Sequence, residues 1–220
     1  MIKRYLGNYV RSSFSKLNSR RFGQIQPNSE LGRWIQLICS FEEVVNIVEI
    51  GCWNGKGSSR RILEGCKLSN NFLNKQIVGL EANIKMYNQA RRNLRKFQQY
   101  SVLWGSIVNV DQLDHQDITP QESVWLENDV KMILECPNVI DQIPNRIDLL
   151  ILDGGEFATY SEFKQLNSRI NGWIILDDTL VRKNRNVLSD LLKDTSYSLV
   201  RISSKRNGFA IFRKQAMLNE

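Results

Sequence analysis

The chain has 220 residues, 30 Lys and Arg against 23 Asp and Glu, and a formal net charge of +7. That length suits one domain with a sizeable core, no run of about 18 apolar residues reads as a membrane span, and the start MIKRYLGNYV lacks the apolar stretch of a secretory signal. A cytoplasmic protein without a transmembrane segment is expected. The single histidine, His115, excludes a histidine-rich metal site, and Cys39, Cys52, Cys66 and Cys136 contain no CxxC pair. Reduced, mostly buried thiols follow, and any metal must be held mainly by oxygen, which favours Mg²⁺, Mn²⁺ or Ca²⁺ over Zn²⁺.

In chain order, Lys3, Arg4, Arg11, Lys16, Arg20 and Arg21 all precede the first acid, Glu30. Residues 1–29 therefore read as a basic arm, and residues 30–220 as the folded domain. The arm is either a solvated leader or a surface for phosphate, an anionic lipid face or an acidic partner. Leu31, Trp34, Ile35 and Ile38 have helical spacing, with Asn28 or Ser29 as cap. VVNIVEIG, Val44 to Gly51, is too short for a helix and rich in β-branched residues, so it reads as a buried strand. Ser58 to Cys66 is a helix, QIVGLE a strand, Asn83 to Phe97 a helix with a basic outer face, and Tyr100 to Gly105 a third strand.

Ser106 to Asn145 is longer than an ordinary crossover. It reads as an insertion overlying a site, with a helix around Val124 to Leu134 and Trp125 as a candidate wall. Arg146 to Asp153 is the fourth strand, Tyr160 to Ser168 a helix, GWIIL the fifth strand and NVLSDLLKD a helix. YSLVRISS and FAIFRK form a hairpin around Asn207-Gly208. The sum is an α/β doubly wound, Rossmann-like sheet of about seven strands, mostly parallel, whose last strand is antiparallel.

Ligands of such sheets bind outside the carboxyl ends of the strands. Gly51, Glu81, Gly105, Asp153 and Asp177 all lie at such ends. In EIGCWNGKGS, Glu49 to Ser58, the glycines Gly51, Gly55 and Gly57 allow close backbone approach, and the helix start that follows offers N–H groups to an anion. The spacing fits neither a P-loop nor a dinucleotide fingerprint. Glu81, ending the second strand, suits two ribose hydroxyls.

Taken together, VVNIVEIGCWNGKGS, IVGLE, IDLLILDGGEF and GWIILDDTL resemble the class I S-adenosylmethionine-dependent methyltransferases over about Leu31 to Phe212. The resemblance implies S-adenosylmethionine as cofactor, with Gly51, Gly55 and Gly57 along its methionine part, Ser58 near the carboxylate, Glu81 on the ribose, Gly105 and Ser106 beside the adenine, and Glu49 and Asp153 as further cofactor-binding residues. Within that family the metal-dependent O-methyltransferases of catechol and macrocin type imply Mg²⁺ or Mn²⁺ on Asp153, Asp177 and Asp178. Catechol-type enzymes carry a lysine base where this chain has Glu156. Glu156 then stands with Asp153 as a catalytic candidate, and Thr159 and Tyr160 as candidate walls.

Other readings stay open. Asp177 and Asp178 also suit the cap of a helix beginning near Leu180. The leading expectation is a Mg²⁺-dependent O-methyltransferase acting on a hydroxyl of a small molecule or sugar. The alternatives are a metal-free methyltransferase of RNA or another anionic polymer, using the arm and Arg91, Arg92, Arg95 and Lys96, and a non-catalytic binding protein of the same fold. A homo-oligomer is compatible with each.

Overall fold

The computed structural model describes residues 25–215. The six cations of the basic arm lie outside the described residues.

Ser29 opens α1 (Glu30–Ser40): its Oγ accepts from the Gly32 amide at 3.0 Å. The chain continues through β1 (Asn46–Ile50), α2 (Ser58–Cys66), β2 (Gln76–Glu81), α3 (Ile84–Leu94) and β3 (Tyr100–Trp104). Next come α4 (Pro120–Glu135), β4 (Ile147–Leu152), α5 (Thr159–Leu166), β5 (Ile170–Asp177) and α6 (Arg182–Lys193). A hairpin of β6 (Tyr197–Ser203) and β7 (Phe209–Lys214) follows. The helix expected around Val124 runs further at both ends, because Thr119 and Glu122 form a capping box and Pro120 begins the first turn. Cys39, Cys52 and Cys66 are buried and, with Cys136, free.

The seven strands lie in the order β3, β2, β1, β4, β5, β7, β6. Strands β1 to β5 pair in parallel, and β7 is antiparallel to both β5 and β6, as the sequence pattern implies. Because the chain leaves β1 toward β2 on one side and returns to β4 on the other, a crevice opens at the carboxyl ends of β1 and β4. On one face Ile47, Leu149, Ile151 and Ile175 meet Ile35, Ile38 and Ile62 of the first two helices. On the other, Val48, Leu150, Leu152 and Ile174 meet Phe163, Leu166, Val187 and Leu191 of α5 and α6. Coverage of both faces explains why these strands read as continuous apolar runs.

Two polar devices fix where the strand ends lie. Asn184, fully buried at the start of α6, donates from Nδ2 to the carbonyls of Leu152 (3.0 Å) and Asp177 (2.5 Å), tying β4 to β5 at their carboxyl ends. At the opposite edge, Asp148 accepts from the amides of Val45 (3.1 Å) and Asn46 (2.9 Å) and from Arg146. Asp148→Ala leaves both amides without their acceptor. A loss of about 2 kcal/mol is expected, read as a fall in the urea midpoint with an unchanged slope.

Candidate active site

A cavity of about 450 Å³ opens over the carboxyl ends of β1, β2 and β4. Its floor is the turn after β1. Gly51 has φ +82°, and a Cβ there would lie 2.1 Å from the Asp153 carbonyl oxygen, so only glycine lets the two strand ends approach this closely. Gly57 and Ser58 also line the cavity, and no side chain caps α2, whose first amides remain open to an anion. Gly55 lies elsewhere: it has φ +73° and packs on Leu94 and Ala90 of α3.

Glu49 also leaves the site expected for it. One residue inside β1, its side chain points to the α1 and α2 face, fully buried, where Oε2 accepts from Ser59 Oγ (2.8 Å) and from the Tyr100 hydroxyl. Tyr100 reaches it across Gly79, which has no side chain to block the path. Burial raises the Glu49 carboxyl to about 7.

Glu81 lines the cavity, its oxygens receiving the amides of Trp53 (2.7 Å) and Asn83 (2.9 Å). Burial lifts its pKa to about 7 against the pull of those amides. Gly105 and Ser106 border the same space; the Ser106 hydroxyl is engaged with Val108. Over the top runs α4, which contributes Trp125, Asp129 and Met132. Thr159 and Tyr160 turn to other partners, the Thr159 hydroxyl donating to the Gly155 carbonyl and the Tyr160 hydroxyl to Asp190.

Asp153, Asp177 and Asp178 converge, each offering an oxygen within 4.8 Å of the others. The chain turns to allow this by placing Asp178 in the left-handed region, φ 57°, which Asp tolerates. Neither Asp177 nor Asp178 caps α6: that helix begins at Arg182 after Val181, without a side-chain cap. The Lys183 amide instead donates to Glu156 Oε2 at 3.0 Å, and Glu156 faces the cavity. Burial raises the Glu156 carboxyl, with Lys183 opposing.

The sequence reading missed two cations. Lys183 Nζ lies 2.9 Å from Asp153 Oδ1 and 3.1 Å from Asp178 Oδ2, and Arg206 spans Asp177 Oδ2 (2.5 Å) and Asp178 Oδ1 (3.4 Å). Burial lifts Asp177 to about 7, and Asp153 upward, while at Asp178 the two cations overcome burial and hold the carboxyl low. An all-oxygen donor set is the kind Mg²⁺ takes, at about 2.1 Å. The Lys183 ammonium bridges two of the three carboxylates, so the cluster as built does not fit that ion. A signal for Lys183 is present in the sequence: basic residues in the first turn of a helix oppose its dipole, and Arg182 and Lys183 both sit there.

Glu162 was missed as well. Thr159, Glu162, Phe163 and Leu166 form the buried stripe of α5, and an acid in such a stripe is the clue. Its Oε2 has no hydrogen-bond partner among the described residues, it lines the cavity, and burial with Asp129 and Glu81 nearby raises it to about 8. The folded protein thus keeps a proton that the unfolded chain has lost between the usual carboxylate range and about pH 8, so stability falls as pH rises through that window. Glu162→Gln removes this contribution. In calorimetry it is expected to melt about 4 °C above the wild type at pH 8.5 and close to it at pH 4; equal melting temperatures at pH 8.5 count against the assignment.

No family model matches the sequence, and no curated protein matches it. Solved structures do. A Staphylococcus aureus protein assigned as a caffeoyl-CoA O-methyltransferase is 18% identical with TM-score 0.61, covering 97% of this chain and 99% of that one. An O-methyltransferase from Bacillus cereus in complex with SAH is 17% identical with TM-score 0.59, covering 93% and 90%. An SAH-bound methyltransferase from Podospora anserina is 15% identical with TM-score 0.56, covering 84% and 78%. At these identities the likeness establishes architecture: the chain has the α/β fold of the class I S-adenosylmethionine-dependent methyltransferases.

Proposed function

We infer that the protein is an S-adenosylmethionine-dependent methyltransferase that acts on a hydroxyl of a small molecule or sugar. The observation that carries this reading is the convergence of the Gly51 turn, Glu81 and Asp153 on one cavity at the carboxyl ends of β1, β2 and β4. S-Adenosylmethionine supplies an activated methyl group on a positively charged sulfur. Glu81 suits the ribose hydroxyls, and the open amides of α2 suit the methionine carboxylate. Glu81, Asp129, Asp153, Glu156 and Glu162 line the same cavity, and although burial keeps part of this set protonated, a cationic ligand such as a sulfonium favours their ionised forms.

The acceptor side is carried by Glu156. With Oε2 engaged by the Lys183 amide, Oε1 is left to take the acceptor proton, and the raised pKa brings it toward the strength of base this requires. In-line attack by the oxygen then needs alignment more than covalent help. Small size of the acceptor agrees with the cover given by α4, while the basic outer face of α3, with exposed Arg91 and Arg92 and with Arg95 just past its end, lies on solvent.

Calorimetric titration with S-adenosylhomocysteine is expected to show one site per chain, and Glu81→Gln to weaken binding by about tenfold, the cost of one hydrogen bond to a charged acceptor. Folded wild-type protein that takes up no S-adenosylhomocysteine refutes the reading. With bound donor, Glu156→Gln is expected to slow transfer to phenolic or vicinal-diol acceptors by about 100-fold or more while leaving donor affinity unchanged.

A further inference from the structure

We propose that Lys183 is the resident cation of this site: its ammonium takes the position among Asp153, Asp177 and Asp178 that a divalent ion would fill, and presents a hydrogen-bond donor to the acceptor oxygen. The acceptor half of this statement rests on the methyltransferase reading; the cation half does not.

Three observations carry it. Nζ bridges Asp153 Oδ1 and Asp178 Oδ2 at 2.9 and 3.1 Å, so it joins two of the three carboxylates on the cavity side of the cluster. An ammonium has three N–H donors, and these two bonds leave the third without a partner among the described residues, on a side chain that lines the cavity and is 11% exposed. The remaining charge is met from outside, where Arg206 binds Asp177 and the second oxygen of Asp178. Three carboxylates and two cations leave one negative charge in a half-buried place, a smaller residue than the bare acids would impose. The position of Lys183 is also set by its backbone, since its own amide is held by Glu156, the residue assigned to the acceptor proton.

The chemistry balances without a metal. The acceptor oxygen forms the bond to the methyl carbon, the carbon–sulfur bond breaks, and its electron pair returns to sulfur, which leaves as a neutral thioether. The acceptor proton passes to Glu156 and on to solvent. Lys183 keeps its three protons throughout and stabilises negative charge developing on the oxygen.

The test is a Mn²⁺ titration followed by electron paramagnetic resonance, run on wild type, Lys183→Met, Asp177→Asn and Lys183→Met/Asp177→Asn, with circular dichroism to report folding and S-adenosylhomocysteine binding measured in parallel. Lys183→Met is expected to bind Mn²⁺ at least about tenfold more tightly than wild type and to gain thermal stability from it, and the added Asp177→Asn to abolish the gain. Wild type that itself binds one Mn²⁺ tightly, and loses it on Asp177→Asn, overturns the proposal, and this arm does not depend on Lys183→Met folding. A folded Lys183→Met that binds no Mn²⁺ overturns it too. Absence of S-adenosylhomocysteine binding by wild type defeats the methyltransferase reading alone and leaves the Mn²⁺ result to decide on Lys183.

Discussion

Crowding of carboxyl groups at the carboxyl ends of the parallel strands is the constraint on which the site depends. Asp153, Asp177 and Asp178 share one small volume, and Glu81, Asp129 and Glu162 face the cavity beside them. Like charges this close cannot all ionise in a half-buried place. The molecule answers in two ways. Around the Asp cluster it brings in Lys183 and Arg206; across the cavity it lets pKa values rise, to about 7 at Glu81, about 6 at Asp129 and about 8 at Glu162. The first solution fixes charge in place, and the second leaves protons that a ligand can displace or share.

The sheet itself was readable because its strands are buried on both sides. VVNIVEIG, IDLLILD and GWIIL are apolar without interruption, and that pattern arises only where helices cover both faces. Glycines near strand ends likewise announced the cavity floor, since Gly51 is required by a backbone contact that no side chain permits. Glu81 and Asp153, whose place follows from their position at or just past a strand end, line the cavity.

What sequence order hides is partnership across the fold. Glu49 looked like a ligand of the site because it precedes the glycine turn, yet the two-residue period of the strand turns it to the opposite face. Its partner Tyr100 comes from β3, two strands away, over Gly79. Arg206 sits at a hairpin tip, and KRNG reads as a turn without indicating that its arginine reaches back to Asp177. Lys183 left a clue in its unfavourable place on a helix, but the clue names a need for acids and not which ones.

The bond from the Lys183 amide to Glu156 has a mechanical consequence. It joins the loop after β4 to the first turn of α6, and Asn184, the next residue, joins that same turn to the ends of β4 and β5. The groups assigned to the proton and to the positive charge therefore ride on one rigid corner of the sheet. The roof is fastened to the same corner, since Asp129 of α4 accepts from the Phe157 amide at 3.0 Å and Glu122 of α4 from Arg182 at 3.0 Å, so a ligand entering beneath α4 meets a cover whose position is registered to the groups below it.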